Sequence, residues 1–279
     1  MLEIDGNNLE GGGQIVRTAL ALSCLTGKPF HVHSIRHGRE EPGLKAQHLH
    51  CIKALKKLCD AEASGVEIGS EELSFTPGPI KGGSVSIDIG TAGSISLLLQ
   101  CVLLPCCFAE KNVRLKIRGG TNVKWSPPID YYEKVIVPFF ESLADIKFSV
   151  RKRGFYPKGG GLVELSVTPK FKIFDLPELH KELSQLNINK QGELARVEGI
   201  SFTSSDLKTR NVAERQATGA RHALSSLGVP IKIKKDYVAS DSIGTGIVLW
   251  AVFEKYGEVL STALGADALG EKNISCLLY

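Results

Sequence analysis

Apolar positions along this chain change their period several times, and each change marks an element. Leu2 to Asp5 has the look of a short strand, and a glycine turn, Gly11-Gly12-Gly13, follows it. From Gln14 to Leu25 the pattern is helical. Phe30 to Ile35 alternates and is rich in branched residues, as strands are. Pro42-Gly43 opens a second predicted helix, with Leu44, Leu49, Ile52, Ala54, Leu55 and Leu58 close to helical spacing. Two short predicted strands follow, near Val66 to Ile68 and Leu73 to Phe75.

The same order then returns. Val85 to Ile89 reads as a strand, Gly90-Thr91-Ala92-Gly93 as a turn, and Ser94 to Cys107 as a helix. Val113 to Ile117 is a strand, Pro127-Pro128 opens a helix to about Leu143, and strands close the unit near Phe148 to Arg151 and Leu162 to Val167. Ile35-Arg36-His37-Gly38 and Ile117-Arg118-Gly119-Gly120 hold equivalent places. The predicted unit is β-α-β-α-β-β, occurring twice, over about residues 1–82 and 83–169. Helices covering one face of each sheet give an α+β fold.

After Pro169 the pattern changes. Residues 170 to 192 are polar and charged, with a short helical look. Strands at Leu194 to Phe202, Ile231 to Lys234, Gly246 to Phe253 and Glu258 to Leu264 surround a helix from about Asn211 to Leu227. This predicts two domains: residues 1–180, holding both repeats, and a smaller α/β domain over 181–279.

Composition narrows the setting. The chain has 279 residues, 43% hydrophobic and 23% charged, as soluble globular proteins have. The longest apolar run, Ile95 to Ala109, is broken by Gln100 and Pro105 and is too short to span a bilayer. The N-terminal MLEIDGNN lacks the features of a signal peptide. Seven cysteines, an odd number with no C-x-x-C pair, argue against a disulfide framework or a structural zinc site and for a reducing compartment, the cytoplasm. The net charge of +4 is small, but its distribution is uneven. Lys28 to Leu58 carries seven Lys or Arg against two acids, and Lys147 to Lys158 carries five cations and no acid. Such stretches serve either as solvated faces or as phosphate-binding footprints.

Three motifs carry candidate chemistry. In Glu10-Gly11-Gly12-Gly13-Gln14, with Arg17 one helical turn on, glycines before a helix let backbone N–H groups approach an anion. It is not a Walker A loop, since no Gly-Lys-Ser/Thr follows, and a tight strand-to-helix turn explains it as well. In Ile35 to Leu49, Arg36 and Arg39 stand at a strand end, with Gln47 and His48 in the next helix. Guanidinium groups bind phosphate in a two-pronged way, and salt bridges to Glu40 and Glu41 are the other reading. In Arg153-Gly154-Phe155-Tyr156-Pro157-Lys158-Gly159-Gly160-Gly161, aromatics between cations can stack on bases, and the glycines can equally make a hairpin. Neither His31 and His33 nor His48 and His50 have a strong metal-ligand spacing, so no dedicated metal site is expected, and a divalent cation would come with a nucleotide.

Together EGGGQIVRTALALS, IRHGREEPGLKAQHL, GTAGSISLLLQ, IRGGTNVKWSPPIDY and RGFYPKGGG resemble the RNA 3′-terminal phosphate cyclase family over about residues 1–270. The resemblance implies repeated β-α-β-α-β-β units with an inserted small domain from about residue 180. It implies ATP and Mg²⁺ or Mn²⁺ as cofactors and RNA with a 3′-terminal phosphate as partner. A histidine is adenylylated by ATP, AMP passes to the RNA phosphate, and the 2′-hydroxyl closes a 2′,3′-cyclic phosphate. Glu10, Gln14 and Arg17 match cleft positions, and Arg36, Arg39, Gln47 and His48 match a phosphate-handling cluster. Gln100 and Pro127 match ATP-contacting positions.

One departure stands out. The family's nucleophilic histidine lies in a later segment, and none of the seven histidines here matches it. The third repeat is accordingly expected to be mostly absent and the small domain incomplete, with exposed apolar surface that favours aggregation or pairing with another chain, such as a second copy. Alternatives are a non-catalytic RNA-end binder or a ribosome-biogenesis relative. An enolpyruvyl transferase shares the repeat pattern but none of these motifs.

Overall fold

A computed structural model of the protein describes residues 1–9, 11–172, 180–181, 192–255 and 258–269. The described strands form three four-stranded mixed sheets, and the fold class is α+β. The first sheet contains β1 (Leu2–Asp5), β2 (Phe30–His33), β3 (Glu62–Ser64) and β4 (Leu73–Thr76), in the order β1-β2-β4-β3. β1 and β2 are parallel, Leu2 opposite Phe30, which requires a crossover. Helix α1 (Gln14–Thr26) supplies it, and α2 (Ala46–Cys59) follows β2. The second sheet holds β5 (Gly83–Asp88), β6 (Val113–Gly119), β7 (Ala144–Lys152) and β8 (Gly161–Pro169), in the order β5-β6-β8-β7. Helix α3 (Ile95–Cys106) links its parallel pair β5 and β6.

The third sheet differs. Its order is β10-β9-β11-β12, built from β9 (Glu193–Ser204), β10 (Ile231–Val238), β11 (Thr245–Lys255) and β12 (Glu258–Leu269). The expected domain boundary near residue 180 adjoins residues 173–179 and 182–191, which lie outside the described ones.

Side-chain alternation explains the layering. In β6, Val113, Leu115 and Ile117 are buried while Arg114, Lys116 and Arg118 are exposed. The inward residues meet Leu20 of α1, Leu55 of α2 and Leu98 of α3 in one core shared by the first two sheets. Each buried side chain of this kind stabilises the fold by roughly 1.5–3 kcal/mol. α3 packs against both α1 and α2 and is apolar nearly all round, as a fully enclosed helix must be.

Local structure departs from the sequence pattern where glycine or proline intervenes. The strand expected at Val66 to Ile68 is displaced to Glu62–Ser64. Gly65 has φ +75°, and a Cβ there would meet the Glu72 carbonyl at 2.3 Å, so the strand ends before it. The second helix starts at Ala46, because Gly43 sits at φ +71° against the Gly69 backbone. The helix expected over 127–143 is instead an α turn, α4 (Ile129–Tyr131), a π turn (Tyr132–Ile136) and a 3₁₀ turn (Val137–Phe140). Pro138 has no N–H to give to an α-helical ladder, and the winding changes just ahead of it.

The six described cysteines are buried and reduced, with Cys24 and Cys59 in S–H contact at 3.4 Å. Among the described residues no helix is long and apolar enough to cross a membrane.

Candidate functional site

Two neighbouring loops of the first sheet place its cations. Gly13 caps α1, and Gly11 takes a left-handed φ of 56°. A Cβ on Gly13 would lie 2.1 Å from His48 Nε2, so only glycine lets the α1 turn meet the α2 imidazole. The β2–α2 loop is tied to the β1–α1 loop by Asn7, whose Oδ1 accepts from the Gly38 N–H at 2.9 Å. Within that loop Arg36 has φ +57°, and the Arg39 N–H donates to the Arg36 carbonyl at 3.0 Å. The β2–α2 loop thus presents Arg36 and Arg39 toward the start of α1.

Arg17, on α1, is 7% exposed. Its Nη2 donates to Gln14 Oε1 at 2.9 Å and its Nε to Gln100 Oε1 at 3.3 Å. Burial, and secondarily the nearby Arg36, holds its pKa below the ordinary arginine value. Arg36 Nη2 donates to the Glu41 carbonyl at 3.2 Å, while its buried Nε has no hydrogen-bond partner among the described residues. Burial and then Arg39 lower its pKa too. These are cations crowded by like charge and partly stripped of water, a state that an anion relieves.

His48 completes the wall and is 1% exposed. Its Nδ1 accepts the Lys45 backbone N–H at 2.9 Å. A backbone N–H can only donate, so Nδ1 is unprotonated and Nε2 carries the proton of the neutral ring. Burial, then Arg17, Arg36 and Lys45, push the pKa down to about 3. Nε2 has no partner among the described residues. The neutral ring is a buried hydrogen-bond donor without a free lone pair.

The facing wall comes from the second sheet. Ser94 caps α3, its Oγ accepting the Leu97 N–H at 3.2 Å. The Gly120 N–H donates to the Gly93 carbonyl at 2.8 Å, bringing the turn before α3 against the loop after β6. That loop contributes Val123, Lys124 and Trp125, and the β7–β8 loop contributes Tyr156. Between the walls lies a cavity of about 1060 Å³, lined on the first side by Gly12, Gly13, Arg17, Arg36, Arg39, Gln47 and His48. No Asp or Glu is among its described lining residues. The arrangement suits a multiply charged, acceptor-rich anion attached to an apolar or aromatic group.

Arg17, Arg36, Arg39, Gln47 and His48 therefore meet in one place, though 31 positions separate Arg17 from His48 in the chain. Gln14 stands beside them through Arg17. Gln100 and Pro127 do not line the cavity. Gln100 touches Arg17, and the Pro127 carbonyl accepts from Ser96 Oγ at 2.5 Å, next to Ser94. Glu10 lies outside the described residues. The basic and aromatic motif at 153–161 divides. Arg153 is 5% exposed and turns inward to a two-pronged pair with Asp130 at 2.7 and 2.8 Å. Phe155 is buried against Phe202, and Tyr156 alone of the three reaches the cavity. Sequence reasoning passed over Ser94, Lys124 and Trp125. A tryptophan in a polar loop before Ser-Pro-Pro was the available signal.

The chain matches the family model described as RNA 3′-terminal phosphate cyclase over residues 8–262. It belongs to that family. It is 42% identical over 273 residues to the RNA 3′-terminal phosphate cyclase of Archaeoglobus fulgidus, a match covering 98% of this chain and 76% of the relative. Identity to the protein of that name from Pyrococcus furiosus is 44%, over 98% of this chain and 75% of the relative. A Saccharolobus islandicus protein of the same name is 45% identical with the same coverage. The matched span of the cyclase family thus contains the glycine turn, the arginine loop and the Trp125 loop alike.

Proposed function

We propose that this cavity receives the 3′-terminal phosphate of an RNA, and that the chain acts in its ATP-dependent conversion to a 2′,3′-cyclic phosphate. The observation that carries the reading is the convergence of Arg17, Arg36, Arg39 and His48 on one cavity. Two of its buried donors, Arg36 Nε and His48 Nε2, lack partners among the described residues. A phosphate supplies the acceptors that these groups require. The reaction class is carried over from the names of the relatives.

In the proposed route a histidine attacks the α-phosphate of ATP and pyrophosphate leaves. AMP passes from that histidine to the RNA 3′-phosphate, which gains a good leaving group. The neighbouring 2′-hydroxyl then attacks the phosphorus, and AMP departs. Arg36 and Arg39 hold the RNA phosphate and offset charge gathering on it. His48 donates through Nε2 and is not the nucleophile, because its Nδ1 lone pair is taken by Lys45 and its Nε2 bears a proton. Gln14, Gln47 and, outside the described residues, Glu10 are assigned to the cleft, and Gln100 and Pro127 to the neighbourhood of ATP. Among the described residues no three His, Cys, Asp or Glu side chains could hold a metal. The divalent cation is assigned to the nucleotide, whose phosphates would supply most of its ligands. Residues 1–180 are read as the large domain and 181–279 as the smaller one.

A second reading, RNA-end binding without adenylylation, is favoured by one fact. His48 is the sole histidine among the described residues lining the cavity, and it is a donor. Incubation of the full chain with α-labelled ATP and Mg²⁺ separates the two. Acid-labile AMP on the protein supports the cyclase route. Absence of label, with RNA 3′-phosphate still bound in preference to RNA 3′-hydroxyl, supports end binding. Equal affinity for both RNA ends defeats the phosphate reading itself.

A further inference from the structure

Trp125 is 96% exposed and Tyr156 75% exposed, yet both line the same cavity as the arginines. The chain's other tryptophan, Trp250, is 8% exposed and packs in a core. Trp125 also adopts φ +63°, a region that bulky residues rarely enter. Its loop is pinned rather than loose. Ser126 Oγ donates to the Val123 carbonyl at 3.0 Å, and the Ile129 N–H donates to the Thr121 carbonyl at 2.9 Å. Tyr156 is fixed from the other side, following Phe155, which is buried against Phe202. Two large aromatic side chains are thus held out of the core, at the end of the cavity built by the second sheet. Lys124 lines the cavity next to Trp125.

We propose that Trp125 and Tyr156 form a nucleobase-stacking platform, holding the terminal base of the RNA while the arginine wall holds its phosphate. The inference rests on the RNA-end reading above. Aromatic faces accept any base, which gives grip on the chain end without sequence preference. The adenine of ATP has the same stacking chemistry, so the two sources need separate arms in the test.

Tryptophan fluorescence of the full chain reads the platform directly, because Trp125 is exposed and Trp250 buried. The chain is titrated with a 3′-phosphorylated oligoribonucleotide, with the same oligonucleotide ending in a 3′-hydroxyl, and with ATP. Quenching by the RNA is expected, and its loss in Trp125→Phe assigns the signal to position 125. Quenching by ATP alone would overturn the assignment to the RNA base. No change with either would overturn the platform itself. In anisotropy titrations, Trp125→Ala is expected to weaken RNA binding by roughly fivefold to a hundredfold, with Trp125→Phe recovering most of it. Unchanged affinity in Trp125→Ala also overturns the proposal. If the 3′-phosphate improves binding while Trp125 stays silent, the platform falls and the phosphate reading stands. If both RNA ends quench Trp125 and do so with equal affinity, the reverse holds.

Discussion

The two walls of the cavity arise from similar backbone and carry opposite chemistry. Each is built from a glycine turn before the helix of a parallel strand pair and from the loop after the second strand of that pair. On the first side these are Gly11-Gly12-Gly13 and the segment holding Arg36 and Arg39. On the second they are Gly90 to Ser94 and the segment ending in Lys124 and Trp125. One wall is a set of crowded, partly desolvated cations with a neutral donor, and the other is mainly hydroxyl, aliphatic and aromatic, with Lys124 as its one cation among the described residues. The backbone fixes where side chains converge, and the loops after β2 and β6 decide what they grip.

The largest effect is expected from stripping the cationic wall. Charge-assisted hydrogen bonds contribute roughly 1.5–3 kcal/mol each. Arg36→Ala with Arg39→Ala should therefore weaken binding of RNA 3′-phosphate by about a hundredfold or more. Binding of RNA 3′-hydroxyl should change far less, so preference for the phosphate should nearly vanish. Preference retained in the double variant would show that the walls do not divide the work this way.

His48 gives a smaller, pH-dependent test of the same wall. Its folded pKa is depressed to about 3, below the ordinary histidine value of about 6.5. The unfolded chain therefore binds a proton near pH 6 that the folded chain refuses, and stability falls as pH drops from about 6.5 toward 3. At pH 5 this amounts to about 2 kcal/mol, or roughly 4–8 °C in Tm for a domain of this size. His50, also depressed, chiefly by burial, acts in the same direction. His48→Gln should flatten the decline between pH 7 and pH 5 in thermal denaturation. An unchanged pH slope would mean that His48 is protonated in the folded chain.

Much of this was legible in the sequence, and the rest was hidden for definite reasons. The period changes located the parallel strand pairs and helices α1 and α3 because burial on one face imposes them. Arg17, Arg36, Arg39 and His48 stood out by type and spacing, but their meeting depends on Gly13 packing against His48, which spacing alone does not encode. Arg153 belongs to a basic stretch that read as a solvated face or a phosphate footprint, and its burial is explained by partners the fold brings to it: Asp130 at 2.7 Å, Asp236 at 3.6 Å and the Phe202 ring. Phe155 and Tyr156 are neighbours of one chemical class, and the third sheet takes one into its core and leaves the other outside. Trp125 was passed over because nothing local shows whether a loop tryptophan folds inward.

The two glycine turns allow the finest comparison. A Cβ on Gly13 would fall 2.1 Å from His48 Nε2, 2.7 Å from its Cε1 and 3.2 Å from an Arg17 nitrogen. A Cβ on Gly93 would meet Ile89 Cγ2 at 2.6 Å, and otherwise nothing closer than Thr91 Oγ1 at 3.4 Å. Neither glycine has a positive φ, so alanine strains neither backbone directly and the contacts decide. The Ile89 methyl is a Cγ2 on the branched Cβ of a buried core side chain, so Gly93→Ala must also displace its neighbour, but that neighbour is apolar and donates nothing to the cavity. The His48 ring is enclosed and anchored by Lys45, so Gly13→Ala must push it off its donor position. Losing one neutral donor corresponds to roughly 0.5–1.5 kcal/mol. Gly13→Ala should thus weaken RNA 3′-phosphate binding by up to about tenfold, and Gly93→Ala should stay within about twofold. Titration of both variants against one RNA decides the matter. Equal losses would mean that the turns act only as backbone, and that His48 donates nothing to the phosphate.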